Sequence, residues 1–288
     1  MIKRTKGEKI FNIINVFILS LVMLATLYPF YYTLIASFST GEEIVAGNVI
    51  LVPKGFTLEA YQLIPTIKNF FNAYLNTIYL TAGGVVFGLA AMSMGAYALS
   101  RPYLKGRRAV SLMISFTMWF SAGMIPFYLN IDSLNLVNSR MGVILAFLCT
   151  PFYIIILRSY FESLPADLEE AAKIDGLGNF GIFRKIMAPL AKPCLFTIGL
   201  YCAVDRWNGY FWSMILLKEE ELAPVQVILK KIIVQNQAAS AADGGLINMN
   251  RETLVYAIVI VVIIPIIAVY PFVQRYFIKG MTVGAVKG

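Results

Sequence analysis

The sequence predicts an all-α, polytopic membrane protein with six transmembrane helices, and three observations lead there. Of its 288 residues 59% are hydrophobic and 14% charged, with a mean hydropathy of +0.72; soluble domains run near 45–50% apolar and about 25% charged. Five stretches, residues 10–41, 69–100, 109–131, 141–157 and 253–274, carry no charge, and a sixth, 193–217, is interrupted only by Asp205 and Arg206. A hydrocarbon core about 30 Å thick is crossed by about 20 residues of helix. The spans are therefore expected at about 10–38, 71–99, 109–129, 141–160, 193–217 and 253–277, in one domain covering 1–288, with a loop at 161–192.

The first stretch is too long for a signal peptide and lacks a small-residue cleavage pattern, so it is taken as the first span. An even number of spans puts both termini on one side. Of the 24 basic residues, sixteen fall on the side of the termini, seven on the other, and Arg206 lies within a span. Lys/Arg-rich short loops stay in the cytoplasm, which places both termini and the 161–192 loop there. The net charge of +8 thus reads as topology, and nucleic acid is not an expected partner. Cys149, Cys194 and Cys202 lie in or at the ends of spans; an odd count in apolar settings argues for packing residues over a disulfide framework.

Between spans, residues 42–68 form an outward loop with Pro53, Gly55 and Pro65, while "SRPYLKGRR" is a tight basic inward turn suited to a helix C-terminus and an anionic leaflet. In the outward loop 218–251, Val225, Ile228, Leu229, Ile232 and Ile233 recur at helical spacing, as in an interfacial helix or a contact for a protein docking from outside. Gly84, Gly88 and Gly95, with Ala91 and Ala98, allow close helix approach in lipid.

The 161–192 loop is far longer than a connection requires. Asp167 is expected to cap a helix, with Glu170 three residues on. Glu169 and Glu170 favour its dipole, Ala171 and Ala172 keep it slim, and Gly176 suits a left-handed stop. Asn179 then opens a second short helix with Phe180, Phe183, Ile186 and Met187 on one side, Arg184 and Lys185 on the other, and Pro189 and Pro193 at its end. Such a stripe has no core of its own in prospect: it needs a groove on a partner or lies on the membrane surface.

These residues resemble the EAA loop of ABC importer permeases. Glu170-Ala171-Ala172, Gly176, Ile186 and Pro189 keep that loop's spacing, and the "AAKIDG" form with "PL" at Pro189-Leu190 is similar to the carbohydrate-importer branch, as are "NAYLNTIYL", "GAYALSR", "RSYFESLPADLEEAAKIDG" and "RWN" at 206–208. The resemblance implies a type I importer permease fold and passage of a carbohydrate, an oligosaccharide in first place, across the bacterial cytoplasmic membrane. It further implies a second homologous permease, two ATPase subunits that bind ATP and Mg, and an external solute-binding protein. Glu169, Glu170, Ala171, Ala172, Asp175, Gly176, Phe180, Phe183 and Arg184 are then the residues expected to couple to the ATPase. Overall the chain looks closest to permeases for acidic or plant-derived saccharides.

No cofactor is expected in this chain. It has no Gly-Lys dipeptide, hence no phosphate loop, and no histidine, hence no imidazole base or imidazole metal site; it is not expected to be an enzyme. The exception in an uncharged interior is Asp205-Arg206. Ionisable groups in a span face protein or a wet cavity, and adjacent helical residues do not face each other, so each is expected to have its own partner. They mark either a structural ion pair or a substrate path joined by Trp207 and Asn208, with Trp119, Tyr128, Asn130 and Trp212 as further lining candidates. Rings stack on apolar sugar faces and amides bond hydroxyls. Two alternatives remain: an importer of this type for a non-sugar solute, or an ion-coupled secondary transporter, which needs intramembrane carboxylates and broken helices.

Overall fold

The computed structural model describes residues 6–242 and 249–285, which are helical with no strand among them. In chain order the helices are α1 (Lys6–Ser37), α2 (Gly41–Val45), α3 (Glu59–Leu63), α4 (Phe70–Ser100), α5 (Arg107–Trp119), α6 (Met124–Ser133), α7 (Arg140–Ala146) and α8 (Pro151–Ser163). There follow α9 (Asp167–Ile174), α10 (Asn179–Ile182), a π-helical turn Phe183–Met187, α11 (Ala188–Leu190), α12 (Lys192–Asn208), α13 (Phe211–Leu216), α14 (Val225–Ala242) and α15 (Met249–Ala285).

The six predicted spans are all helical, but not all unbroken. Gly7–Ser37, Phe70–Ser100 and Arg251–Val269 are each long and apolar enough to cross a bilayer; α7 with α8 meets the same test as a pair bent by 57°, as does the Asn179–Leu190 segment with α12, bent by 82°. The predicted span 109–129 is instead α5 and α6, parted at Phe120–Gly123, where Gly123 takes a φ of +90° that a helix does not use. The predicted span 193–217 stops at Asn208 and resumes at Phe211. Both gaps border cavities, the setting in which irregular backbone is tolerated at membrane depth. The proposed coupling of 225–233 to an outside protein concerns α14, where Val225 and Val227 are buried and Val234 is exposed.

Two compact units make up the chain: the described parts of Met1–Lys68 with Leu229–Ile264, and of Asn69–Ile228 with Pro265–Gly288. In the first, Ile35 and Ala36 at the end of α1 pack with Ile44 and Val49, and Tyr32 meets Tyr256 edge-on at 5.8 Å. Thr253 Oγ1 donates to Ser39 O at 3.1 Å, and Phe38 stacks on Phe56 at 5.8 Å. Most of α1 exposes its apolar side chains, as a helix lying in lipid or against another membrane chain does.

In the second unit α4 is the spine, packed on α8 and α12. Met92, Ala96 and Tyr97 meet Tyr153, Leu157 and Phe161 of α8 and Cys194, Ile198 and Cys202 of α12. Gly88 permits this approach, since a Cβ there would stand 2.9 Å from Leu148 O. At the other end of α4, Asn76 Nδ2 donates to Glu221 O and Ala223 O at 2.7 and 3.1 Å, and Val225 N–H donates to Thr77 Oγ1 at 2.8 Å. A second clasp is Asn138, at φ +57°, whose Oδ1 accepts from the N–H groups of Lys218 and Glu219 at 3.1 Å each.

The loop carrying this clasp leans on Gly142, where a Cβ would run into Leu136 O. Gly142→Ala should therefore shift the loop and destabilise the folded chain by about 1–3 kcal/mol, read as a lower midpoint of thermal unfolding in detergent; an unchanged midpoint would count against this packing.

Candidate functional site

The 161–192 segment folds as a hairpin of α9 and the α10–α11 run. Asp167, Glu169 and Glu170 sit in the first turn of α9, where their charge suits the helix dipole. Asp167 is not the cap that the sequence predicts. It is already helical, the cap position is Ala166, and no side chain bonds there. The far end closes as expected: Gly176 has φ +80°, its N–H donates to Lys173 O and that of Leu177 to Ala172 O, both at 3.0 Å, which is a Schellman stop. The wide turn at Phe183–Met187 precedes Pro189, which has no N–H to give to the preceding helical turn.

The apolar stripe does have a core to enter, contrary to the sequence-based expectation. Ile182 and Met187 are fully buried, and Phe183 and Ile186 pack against the cluster formed by α4, α8 and α12. Phe183 lies 5.4 Å from Tyr97 and 6.3 Å from Phe161, ring centre to ring centre. The membrane-embedded core therefore extends into the hairpin and takes up the stripe. Facing away are Ile174, 86% exposed, and Phe180, 64% exposed. Of the residues predicted to couple, Glu169 and Ala172 are buried, Phe183 is half-buried, and Glu170, Ala171, Asp175, Gly176, Phe180 and Arg184 are exposed. Ile174 was missed; its apolar side chain directly before the Asp175-Gly176 stop was the available signal.

Glu169 locks the hairpin to the end of α4. Arg101 Nη1 donates to Glu169 Oε2, both side chains being under a tenth exposed, while Arg101 Nη2 donates to Phe161 O at 2.9 Å. Arg101 Nε donates to Ser100 Oγ at 2.9 Å, and its guanidinium lies over the Tyr97 ring at 4.9 Å. Lys173 Nζ approaches Glu169 Oε1 at 2.8 Å and covers the Tyr103 ring at 4.5 Å. Burial by itself would raise the Glu169 carboxyl, but hydrogen bonds from Lys173, Arg101 and Tyr103 outweigh it and hold it below the ordinary 4.5. Burial, and then the bond to Glu169, push the Tyr103 phenol above its ordinary value.

The second feature is a cavity of about 330 Å³ beside the break between α12 and α13. It brings together Asp205, Arg206, Asn208 and Trp212 of the predicted lining, with Thr150, Tyr153, Tyr210 and Phe211. Asp205 and Arg206 have separate surroundings, as their adjacency required: Tyr153 OH donates to Asp205 Oδ2 at 2.6 Å, and the Arg206 guanidinium lies 5.4 Å from the Phe147 ring centre. Trp212 packs on Phe127 at 4.7 Å. Trp207 points elsewhere, buried edge-on against Tyr74 at 5.8 Å. Tyr128 packs in the Leu80–Val143 cluster, Asn130 lines a separate cavity bounded by Ser121–Met124, and Trp119 is 84% exposed. Tyr153 was not anticipated, because only the fold brings α8 beside α12. The cavity combines aromatic faces, an amide, a carboxylate and a guanidinium, groups that suit hydroxylated rings.

Because Glu169 titrates lower in the folded chain than in the unfolded one, its stabilisation is complete above about pH 4.5 and fades as pH falls through the folded-state value. Glu169→Gln strands the buried Arg101 charge. It should cost about 3–5 kcal/mol at neutral pH, and the penalty should shrink on acidification below pH 4.5. Melting curves across that range test this, and a penalty independent of pH would contradict it.

Comparison with known proteins bears on both features. The family model described as "Binding-protein-dependent transport system inner membrane component" matches residues 8–283. The polygalacturonan/rhamnogalacturonan transport system permease protein YtcP of Bacillus subtilis (strain 168) is 36% identical over 287 residues, covering 98% of this chain and 99% of the relative. The arabinooligosaccharides transport system permease protein AraQ of the same organism is 28% identical over 100% of both chains. A chain from the crystal structure of a bacterial ABC transporter involved in the import of the acidic polysaccharide alginate superposes with a TM-score of 0.86 at 45% identity, over 96% of this chain and 100% of that one. With its family match and helical membrane fold, this chain belongs to the family of inner-membrane components of binding-protein-dependent transport systems.

Proposed function

We propose that the chain is the membrane-spanning subunit of an ATP-driven saccharide importer and forms half of an alternating-access pathway. One observation carries this reading: the hairpin is fastened on its inner side to α4 and α8 through Arg101–Glu169 and Phe183, while its outer side leaves Ile174 and Phe180 uncovered. A partner that seizes the outer side therefore moves α4 with it, and α4 forms part of the cavity wall at Leu80. The partner is a pair of ATPase subunits, which hold the ATP and Mg that this chain has no loop to bind. Their closure shifts the permease only so far as they contact its two states differently.

The other half of the pathway is a second homologous permease, and an external solute-binding protein delivers the cargo. YtcP, AraQ and the alginate importer are all named for saccharides, and the aromatic and amide lining of the cavity suits the same class. The hairpin and both termini lie in the cytoplasm, following the excess of basic residues in the loops on that side. Membership of this family removes the ion-coupled alternative.

The test is reconstitution with the partner chains in proteoliposomes: labelled oligosaccharide should accumulate only with ATP inside the cytoplasm-equivalent compartment, and accumulation without ATP would overturn the reading. Phe180→Asp should release the ATPase from the purified complex while the permease still inserts; undiminished co-elution would reject Phe180 as an anchor. Gly176 has open space around it, so a side chain there is opposed only by its φ. Gly176→Val should cost about 1–3 kcal/mol locally and abolish uptake, whereas Gly176→Asn, which tolerates that region, should retain it; equal activity in both variants would dismiss the turn's role.

A further inference from the structure

We propose that Arg206 reads a carboxylate on the cargo as it passes through the cavity, so that the saccharide class carried is acidic. The observation is that the cavity's two charged side chains are engaged differently. Asp205, the one carboxylate lining the cavity, is turned to Tyr153 OH at 2.6 Å. Among the described residues the Arg206 guanidinium makes neither a hydrogen bond nor an ion pair, and it rests against the Phe147 ring. Its stem is seated by design of the neighbouring helix: a Cβ on Gly84 would stand 3.0 Å from Arg206 Nε and 3.1 Å from Cγ and Cδ.

A cation at membrane depth is costly and is normally paired. Here a guanidinium, a fixed planar fork of N–H donors, lines a 330 Å³ cavity, and no carboxylate among the described residues bonds it. That fork matches the two oxygens of a carboxylate. Asn208 and the Trp212 ring, on the same cavity, supply an amide for hydroxyls and a face for a sugar ring. A uronate residue presents all three features at once. A neutral hexose would offer the guanidinium only uncharged hydroxyl acceptors, which bond it about half as strongly.

This inference rests on the saccharide-importer reading, and the experiment separates the two. The whole transporter, with its partner permease, ATPases and binding protein, is placed in proteoliposomes and offered labelled trigalacturonate or neutral arabinotriose. Arg206→Gln should slow trigalacturonate uptake about tenfold or more, the effect of losing one charge-assisted pair, and Arg206→Lys should restore part of the rate because it keeps the charge without the fork. Equal trigalacturonate rates in wild type and Arg206→Gln would overturn the proposal. So would failure of Arg206→Gln to assemble on gel filtration, which would assign Arg206 to holding the complex together. Uptake of arabinotriose but not trigalacturonate by wild type would overturn the acidic class and leave the saccharide reading standing; uptake of neither would overturn both.

Discussion

The buried pair between Arg101 and Glu169 is the constraint on which the rest of the molecule turns. It joins the first residue beyond α4 to the first turn of α9, and Arg101 also bonds the last turn of α8 at Phe161 O. A charge pair with so little exposure is weak evidence of net stability, because desolvation offsets much of its attraction. Its value is directional. Guanidinium and carboxylate meet in few orientations, so the hairpin has one angle to the bundle, and Tyr97, Tyr103 and Lys173 close the remaining sides.

That angle is held by two kinds of contact. Polar fastening at Arg101 and apolar fastening at Ile182, Phe183 and Met187 both hold the hairpin to α4 and α8. The helix interruptions lie elsewhere, between α5 and α6 and between α12 and α13. Both are beside cavities, where unpaired backbone groups meet polar surroundings instead of lipid.

The cavity obeys a related rule. Neighbouring residues on a helix diverge, so Asp205 and Arg206 do not neutralise each other. Tyr153 takes the carboxylate, and Gly84, having no side chain, makes room for the arginine stem. The small residues of α4 thus do two things: Gly88 lets α4 approach the Leu148 carbonyl, and Gly84 admits a charge.

What was legible in the amino acids alone followed from local chemistry. Apolar length and the Lys/Arg bias set the membrane class and the expected sidedness. The spacing from Glu170 through Gly176 to Pro189 set the family and the loop, and the Gly176 stop was visible because few residues other than glycine adopt a positive φ without strain. Tertiary structure alone decided which face of the hairpin is free. Phe180 and Phe183 look alike in a helical repeat, yet one is open and the other lies against Tyr97 and Phe161. Periodicity reports that a stripe is apolar but not what covers it, since the covering residues are some 80 positions away in α4. The same holds for Glu169 and Arg101, and for Tyr153 and Asp205: each pair is distant in the chain, and only the packing of α4, α8 and α12 brings the partners within reach.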